Sequence, residues 1–118
     1  MYYYMSMPNR NFRGISVELF QEKFPPTVET AVDKIMSDLS IREKTKIANM
    51  NEDKLIAFHK SYATFITYEF RLWGNDPLLK SCAEAAGLAK VTPGQASYVI
   101  LKELQNRIRQ TNVLRVVT

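Results

Sequence analysis

The stretch from Asn51 to Leu79, NEDKLIAFHKSYATFITYEFRLWGNDPLL, carries the signals of one helix, of its end and of the next helix. Asn51 can cap the first helix, which the apolar pattern predicts over residues 52 to 72. Gly74 can adopt the left-handed conformation in which many helices end. Asp76 is a suitable cap for the next helix, with Pro77 in its first turn. Two consecutive helices in one stretch favour an all-α fold.

One face of the first of these helices is apolar and includes the only histidine and the only tryptophan of the chain. At about 100° per residue, the side chains on that face belong to Leu55, His59, Tyr62, Ile66, Phe70 and Trp73. The ordinary pKa of histidine lies near neutrality, so His59 can act as a base or a ligand. We favour instead a core histidine that is bonded to a backbone carbonyl or a carboxylate.

Glu69 is the one charged residue near that apolar face. Burying an unpaired carboxylate is costly, so Glu69 is expected at the boundary of the core, paired with a lysine or arginine. A small-ligand site or an enzyme active site around His59, Glu69 and Trp73 remains an alternative to the core interpretation. Such a site needs additional groups, because His59 and Glu69 are about 15 Å apart along one helix.

Similar terminal signals predict three further helices. Their N-terminal signals are Pro25-Pro26-Thr27, the pair Ser40 and Glu43, and Thr92-Pro93 with Gln95. Gly87 is expected to end the helix that follows Pro77. The last helix is predicted to reach about residue 109, and its inner side is formed by Ser97, Ile100, Leu101, Leu104 and Ile108.

Five helices with short connections predict a single compact bundle over residues 25–110. Residues 1–24 are assigned to a partly irregular N-terminal arm, and residues 111–118 to a C-terminal tail. Val113, Val116 and Val117 favour extended structure. The tail is therefore expected either to pair with residues 15–19 as a short two-stranded ribbon or to lie across the helices.

Composition narrows the classes of protein that fit. The length of 118 residues suits one domain. No apolar run approaches the about 18 residues that cross a bilayer, and the N-terminus lacks a secretory pattern, so a cytoplasmic protein without a membrane segment is predicted. With a single histidine and the single Cys82, which we assign to packing, neither a disulfide nor a zinc site is expected. The isolated glycines match no nucleotide-binding motif, and we predict no cofactor.

Charge leaves two binding functions open. The net charge is +4, and residues 60–118 contain eight basic and four acidic residues, whereas residues 1–59 contain eight of each. Our leading hypothesis is a non-enzymatic module that binds another protein or itself. The alternative is nucleic-acid binding through the basic residues near the C-terminus, which are Lys102, Arg107, Arg109 and Arg115.

From Thr27 to about Leu104 the order of features resembles a family of small bacterial helical domains of unknown function. The matching segments are TVETAVDKI, NEDKLIAFH, FITYEFRLWGNDPLL and TPGQASYVIL. In the family pattern the histidine is followed by a glycine, an Ile-Arg-Asn triplet, a Leu-Trp pair and a Pro-Asp-x-x-Ser segment. This chain departs from the pattern at Ala63, Thr67, Tyr68 and Gly94. The resemblance implies the extent of the fold and no activity, and it implies that any site built on the Arg-Asn pair is altered here.

Overall fold

The computed structural model describes residues 24–117, with side chains described as far as residue 111. In this part the chain forms five α-helices and no strand. They are α1 (Val28–Asp38), α2 (Ile41–Ala48), α3 (Glu52–Glu69), α4 (Asp76–Ala86) and α5 (Pro93–Val117). The predicted all-α bundle is confirmed. None of these helices is long and apolar enough to cross a membrane.

The predicted ribbon is wrong, because residues 113–117 continue helix α5. Its other half, residues 15–19, lies outside the described residues, as do residues 1–23 of the expected arm. The preference of valine for strands is weak and depends on context. Extending an existing helix adds a backbone hydrogen bond for each residue that is fixed, and this gain outweighs the preference of three valines.

Helix α5 is the centre of the bundle and packs against each of the other four helices. Its inward side chains are fully buried, and they are Ala96, Ser97, Ile100, Leu101, Leu104 and Ile108. This confirms the inner side that the sequence predicts for the last helix. The surrounding helices contribute one cluster of apolar side chains, which includes Val32, Ile35, Ile47, Leu55, Ile66, Leu78 and Cys82. One core therefore joins all five helices.

Local capping explains where most of the helices begin. At α2 the Glu43 N–H donates to the Ser40 hydroxyl over 3.1 Å, and the Ser40 N–H donates to the Glu43 carboxylate over 2.8 Å. Thr92 and Gln95 form the equivalent pair of bonds at α5. Thr27 caps α1, and Asn51 caps α3. Each of these caps was predicted, because the cap side chain accepts from a backbone N–H that is only three residues later in the chain.

The cap of α4 is Asn75, not Asp76 as predicted. The Asn75 side chain is buried, and its Oδ1 accepts a hydrogen bond from the Leu78 N–H over 3.3 Å. Its Nδ2 donates to the carbonyls of Pro25 and Phe70. An amide can both accept and donate, whereas a carboxylate only accepts, so asparagine is the residue that satisfies all three groups.

Helix α3 ends at Glu69, three residues earlier than predicted, and Gly74 does not provide the stop. Arg71 instead adopts the left-handed conformation, with φ of 52°. The Leu72 N–H donates to the Thr67 carbonyl over 3.1 Å, which is the bond of a Schellman motif. This turn buries Phe70 and Leu72 in the core. Burial of these two side chains therefore fixes the helix end, at the cost of a non-glycine residue in a left-handed conformation.

The C-terminal end of α2 is completed by side chains of α5. The Gln105 amide is buried, and its Nε2 donates to the carbonyls of Ile47 and Met50, over 2.9 Å each. The Arg109 guanidinium donates to the carbonyls of Ala48 and Met50 over 2.9 and 3.0 Å. A helix leaves its last carbonyls without intrahelical partners, and here another helix supplies the donors.

We expect Gln105→Met to lower the free energy of unfolding by about 1 to 2 kcal/mol, because it removes two hydrogen bonds from a buried site without much change in volume. Urea unfolding followed by circular dichroism measures the loss. Gln110→Met is the matched control on the exposed side of α5, and it should change stability by less than about 0.5 kcal/mol. Equal effects of the two substitutions would contradict the role of Gln105.

We expect Arg71→Gly to be more stable than Arg71→Ala by about 1 kcal/mol, because only glycine is free of strain at a left-handed φ. Both variants lose the contact of the guanidinium with the Phe24 ring, whose centroid is 5.5 Å away, so the difference isolates the backbone. Thermal unfolding of the two variants provides the comparison. An alanine variant as stable as the glycine variant would show that Arg71 is not strained.

Candidate functional site

The three residues of the predicted His59 site do not come together. Trp73 lies beyond the end of α3, is 62% exposed, and packs edge-to-face on Tyr68 with ring centroids 5.5 Å apart. Glu69 is exposed and has no ion-pair partner among the described residues, where solvent reaches its carboxylate. Its expected pairing with a lysine or arginine stays a prediction. The face predicted to contain His59 and Trp73 is broken by the turn at Arg71.

His59 is partly buried against the first turn of α5. Its Nε2 lies 2.6 Å from the hydroxyl oxygen of Ser97, and that hydroxyl lies 2.8 Å from the carbonyl oxygen of Gly94. The partner is thus a hydroxyl rather than the expected carbonyl or carboxylate. A serine hydroxyl has one proton, so both short contacts are hydrogen bonds only if Nε2–H donates to Ser97 and Ser97 donates to Gly94.

Burial lowers the pKa of His59 below its ordinary value of 6.5. Removing the imidazole from water disfavours the charged form, and no carboxylate offsets this effect. His59 is therefore neutral at neutral pH, with the proton on Nε2 and a lone pair on Nδ1.

His59 also lines an open groove of about 520 Å³, formed by the first half of α3, the connection from α4 to α5 and the first turns of α5. Its apolar walls come from Ile56, Leu88, Val91 and Val99. Ile56 is 43% exposed and Leu88 is 50% exposed. We call this feature the α3–α5 groove. Its volume lies within the range of about 300 to 1,000 Å³ that is typical of small-ligand sites.

The charged group of the α3–α5 groove, the Glu52 carboxylate, already has partners within the chain. Glu52 accepts hydrogen bonds from the Tyr98 hydroxyl over 3.0 Å and from the Lys102 ammonium over 3.3 Å. These two partners, Tyr98 first, lower the pKa of Glu52. Of the described residues that line the groove, none is a lysine or arginine. The groove therefore presents a mostly apolar surface with little net charge.

Neither Ser97 nor Cys82 is placed as a nucleophile. Ser97 is fully buried, and its hydroxyl is engaged with His59 and Gly94. Cys82 is also fully buried beside the Ala96 carbonyl, and burial raises the pKa of its thiol to about 11. A thiol with this pKa is protonated at neutral pH and is a poor nucleophile. Within the described residues no group of three or more His, Cys, Asp or Glu side chains is placed to hold a metal ion.

Three of the four basic residues proposed for nucleic-acid contact have partners within the chain. Lys102 pairs with Glu52 over 3.3 Å, and Arg107 pairs with Asp33 over 2.5 Å. Arg109 donates to the backbone at the end of α2. The side chain of Arg115 lies outside the described residues. Nucleic-acid binding stays a prediction, and the geometry gives three of its four residues a structural role.

The family that matches this chain covers residues 24–108 and is described as a domain of unknown function (DUF6794). The chain belongs to the DUF6794 family. The predicted resemblance to a family of unknown function is thereby confirmed, whereas the residue pattern with Arg-Asn and Pro-Asp stays a prediction. No curated protein and no solved structure matches the chain. The matched segment includes every residue that lines the α3–α5 groove, so the groove belongs to the DUF6794 domain itself.

The sequence contained one signal for the groove that our predictions did not use. Leu88 and Val91 are apolar residues in the short connection between α4 and α5, and no helical face accounts for them. Apolar residues in a connection need an explanation in packing or in binding. That they line one groove with Ile56 depends on how α3 and α5 pack, and the local sequence pattern does not contain that information.

In this DUF6794 domain we expect the free energy of unfolding to fall as pH drops from 7 through 6.5, with a smaller fall for His59→Gln. The pKa of His59 is lower in the folded protein, so the unfolded chain binds the proton more readily. The stability that the neutral imidazole provides is complete above pH 6.5 and is lost as pH falls from there towards the folded pKa. Urea unfolding at several pH values between 5 and 8 measures both proteins. Parallel pH profiles would show that His59 does not titrate differently on folding.

Proposed function

We propose that this DUF6794 domain is a non-enzymatic module that binds an apolar segment of a partner protein in the α3–α5 groove. The observation that carries the proposal is the exposure of Ile56 and Leu88, at 43% and 50%, in the lining of one groove. Covering two large aliphatic side chains in a concave site removes apolar surface from water, which drives association.

The construction of the groove supports this function. Two of its walls are helices, and the α5 wall is held by the core through Ile100 and Leu101. The connection that supplies Leu88 is anchored at Gly87, whose φ of 72° ends α4. A site whose walls are fixed before binding loses little conformational entropy when a partner arrives.

The chemistry of the groove also favours binding over catalysis. Its single carboxylate is paired with Tyr98 and Lys102, and the nearest hydroxyl to the imidazole is that of the buried Ser97. Apolar walls with a few hydrogen-bonding groups are the composition of a recognition site. We propose that the module acts in the cytoplasm, a reducing compartment with which the free thiol of Cys82 is compatible.

Selection of short random peptides displayed on phage tests the proposal. The selected peptides should bind the wild-type domain and lose affinity by about tenfold or more with Ile56→Glu, because a buried charge replaces an apolar contact. Affinities are measured with the synthetic peptides by fluorescence anisotropy, and circular dichroism verifies that each variant is folded.

The matched control is Ile41→Glu. Ile41 is 66% exposed in the first turn of α2, does not line the groove, and receives the same substitution. Peptide affinity should be unchanged in this variant. A selection that enriches no peptide, or peptides that bind Ile56→Glu as well as the wild type, would overturn the proposed function.

A further inference from the structure

We infer that the α3–α5 groove selects an aromatic side chain with its own N–H or O–H donor, a tryptophan or tyrosine, whose donor hydrogen-bonds to Nδ1 of His59. The inference rests on the proposed function and specifies the anchor residue of the partner segment. Three features of the groove lead to it: the tautomer of His59, the aromatic wall and the charge balance.

The tautomer follows from the chain of hydrogen bonds in which His59 donates to Ser97 and Ser97 donates to Gly94. If Ser97 donated its single hydroxyl proton to the imidazole instead, no proton would lie between its oxygen and the Gly94 carbonyl, and that contact would not be a hydrogen bond. Making both bonds places the histidine proton on Nε2. Nδ1 is then an acceptor, and it has no hydrogen-bond partner among the described residues.

An acceptor at a partly buried position is costly to leave without a donor when a partner excludes water from it. An aliphatic anchor in the groove would impose this cost, whereas an anchor that carries N–H or O–H avoids it. Burial also lowers the pKa of His59, so Nδ1 keeps its lone pair at neutral pH. The imidazole thus discriminates between anchors of similar size by their hydrogen-bonding capacity.

The aromatic preference comes from the wall that His59 and Tyr98 form together. Their rings meet edge-to-face, with centroids 5.2 Å apart and planes at 75°. A third ring can pack on this pair in the offset or edge-to-face geometry that aromatic rings prefer. The exposed side chains of Ile56 and Leu88 line the same groove and are available to pack on that ring.

The charge balance excludes a charged anchor. The carboxylate of Glu52 is neutralised by Lys102 and accepts a hydrogen bond from Tyr98, so it does not need a cationic side chain from the partner. No lysine or arginine among the described residues lines the groove to attract an anion. Tryptophan and tyrosine carry a donor on the ring system and stay uncharged through the neutral and mildly acidic range, whereas histidine gains a charge there.

Two matched pairs of compounds test the inference on the wild-type domain. The first is N-acetyl-tryptophanamide and its analogue methylated on the indole nitrogen; the second is N-acetyl-tyrosinamide and N-acetyl-phenylalaninamide. Binding is measured from amide shifts of Ile56, Leu88, Val91 and Val99 in the ¹⁵N-labelled protein. In each pair the compound with the ring donor should bind about three- to tenfold more tightly, as expected for one added hydrogen bond.

The variant His59→Phe keeps a ring in the wall and removes the acceptor, so the preference within each pair should disappear. Tyr62→Phe is the control, because it removes a hydroxyl from another aromatic ring of α3, and Tyr62 does not line the groove. The preference should persist in this variant. The comparison of compounds on the wild-type protein stands even where His59→Phe is too unstable to measure.

Equal binding of the two members of each pair to the wild type would overturn the inference. Peptides that depend on Ile56 but contain aliphatic anchors would also overturn it and leave the proposed function intact. A clear donor preference without any peptide selected on the groove would support the chemistry of the site and overturn the proposed function. The two failures are therefore distinguishable.

Discussion

Burial of α5 among the other four helices is the constraint on which the rest of the described structure depends. The other helices make few contacts with one another apart from α1 with α4, so their shared core is organised around the apolar side of α5. Four large side chains of that helix, Ile100, Leu101, Leu104 and Ile108, are fully buried. Burying a side chain of this size contributes roughly 1.5 to 3 kcal/mol, more than any surface ion pair in this domain can supply.

The same helix also determines which polar groups enter the interior. Ser97 and Gln105 are buried on α5, and each makes two side-chain hydrogen bonds: Ser97 links His59 to the Gly94 carbonyl, and the Gln105 Nε2 joins two carbonyls near the end of α2. A buried hydrogen bond requires a defined direction as well as a short distance, so these two side chains fix the rotation of α5 about its axis. That rotation places Tyr98 and Val99 beside α3, and the α3–α5 groove is its direct result.

The sequence predicted what is decided within a few residues and missed what is decided by packing. The caps at Thr27, Ser40, Asn51 and Thr92 can be predicted from the neighbouring residues alone. The apolar stripe of α5 can be predicted from the helical spacing of its apolar residues. The end of α3 was misplaced because a glycine permits a left-handed turn without requiring one, whereas burial of Phe70 and Leu72 required it at Arg71. Trp73 was assigned to the core on the assumption that the helix continued. The groove was not predicted, because Ile56 and Leu88 meet only after α3 and α5 have packed.

The completion of α2 by Gln105 and Arg109 has a consequence for the order of folding. With eight residues, α2 is too short to be stable as an isolated helix, and the donors for its last carbonyls come more than fifty residues later in the chain. During synthesis α1 to α4 leave the ribosome without the helix that buries their apolar faces. The bundle can therefore close only once α5 has emerged, so this domain folds as one cooperative event after α5 is synthesised rather than helix by helix.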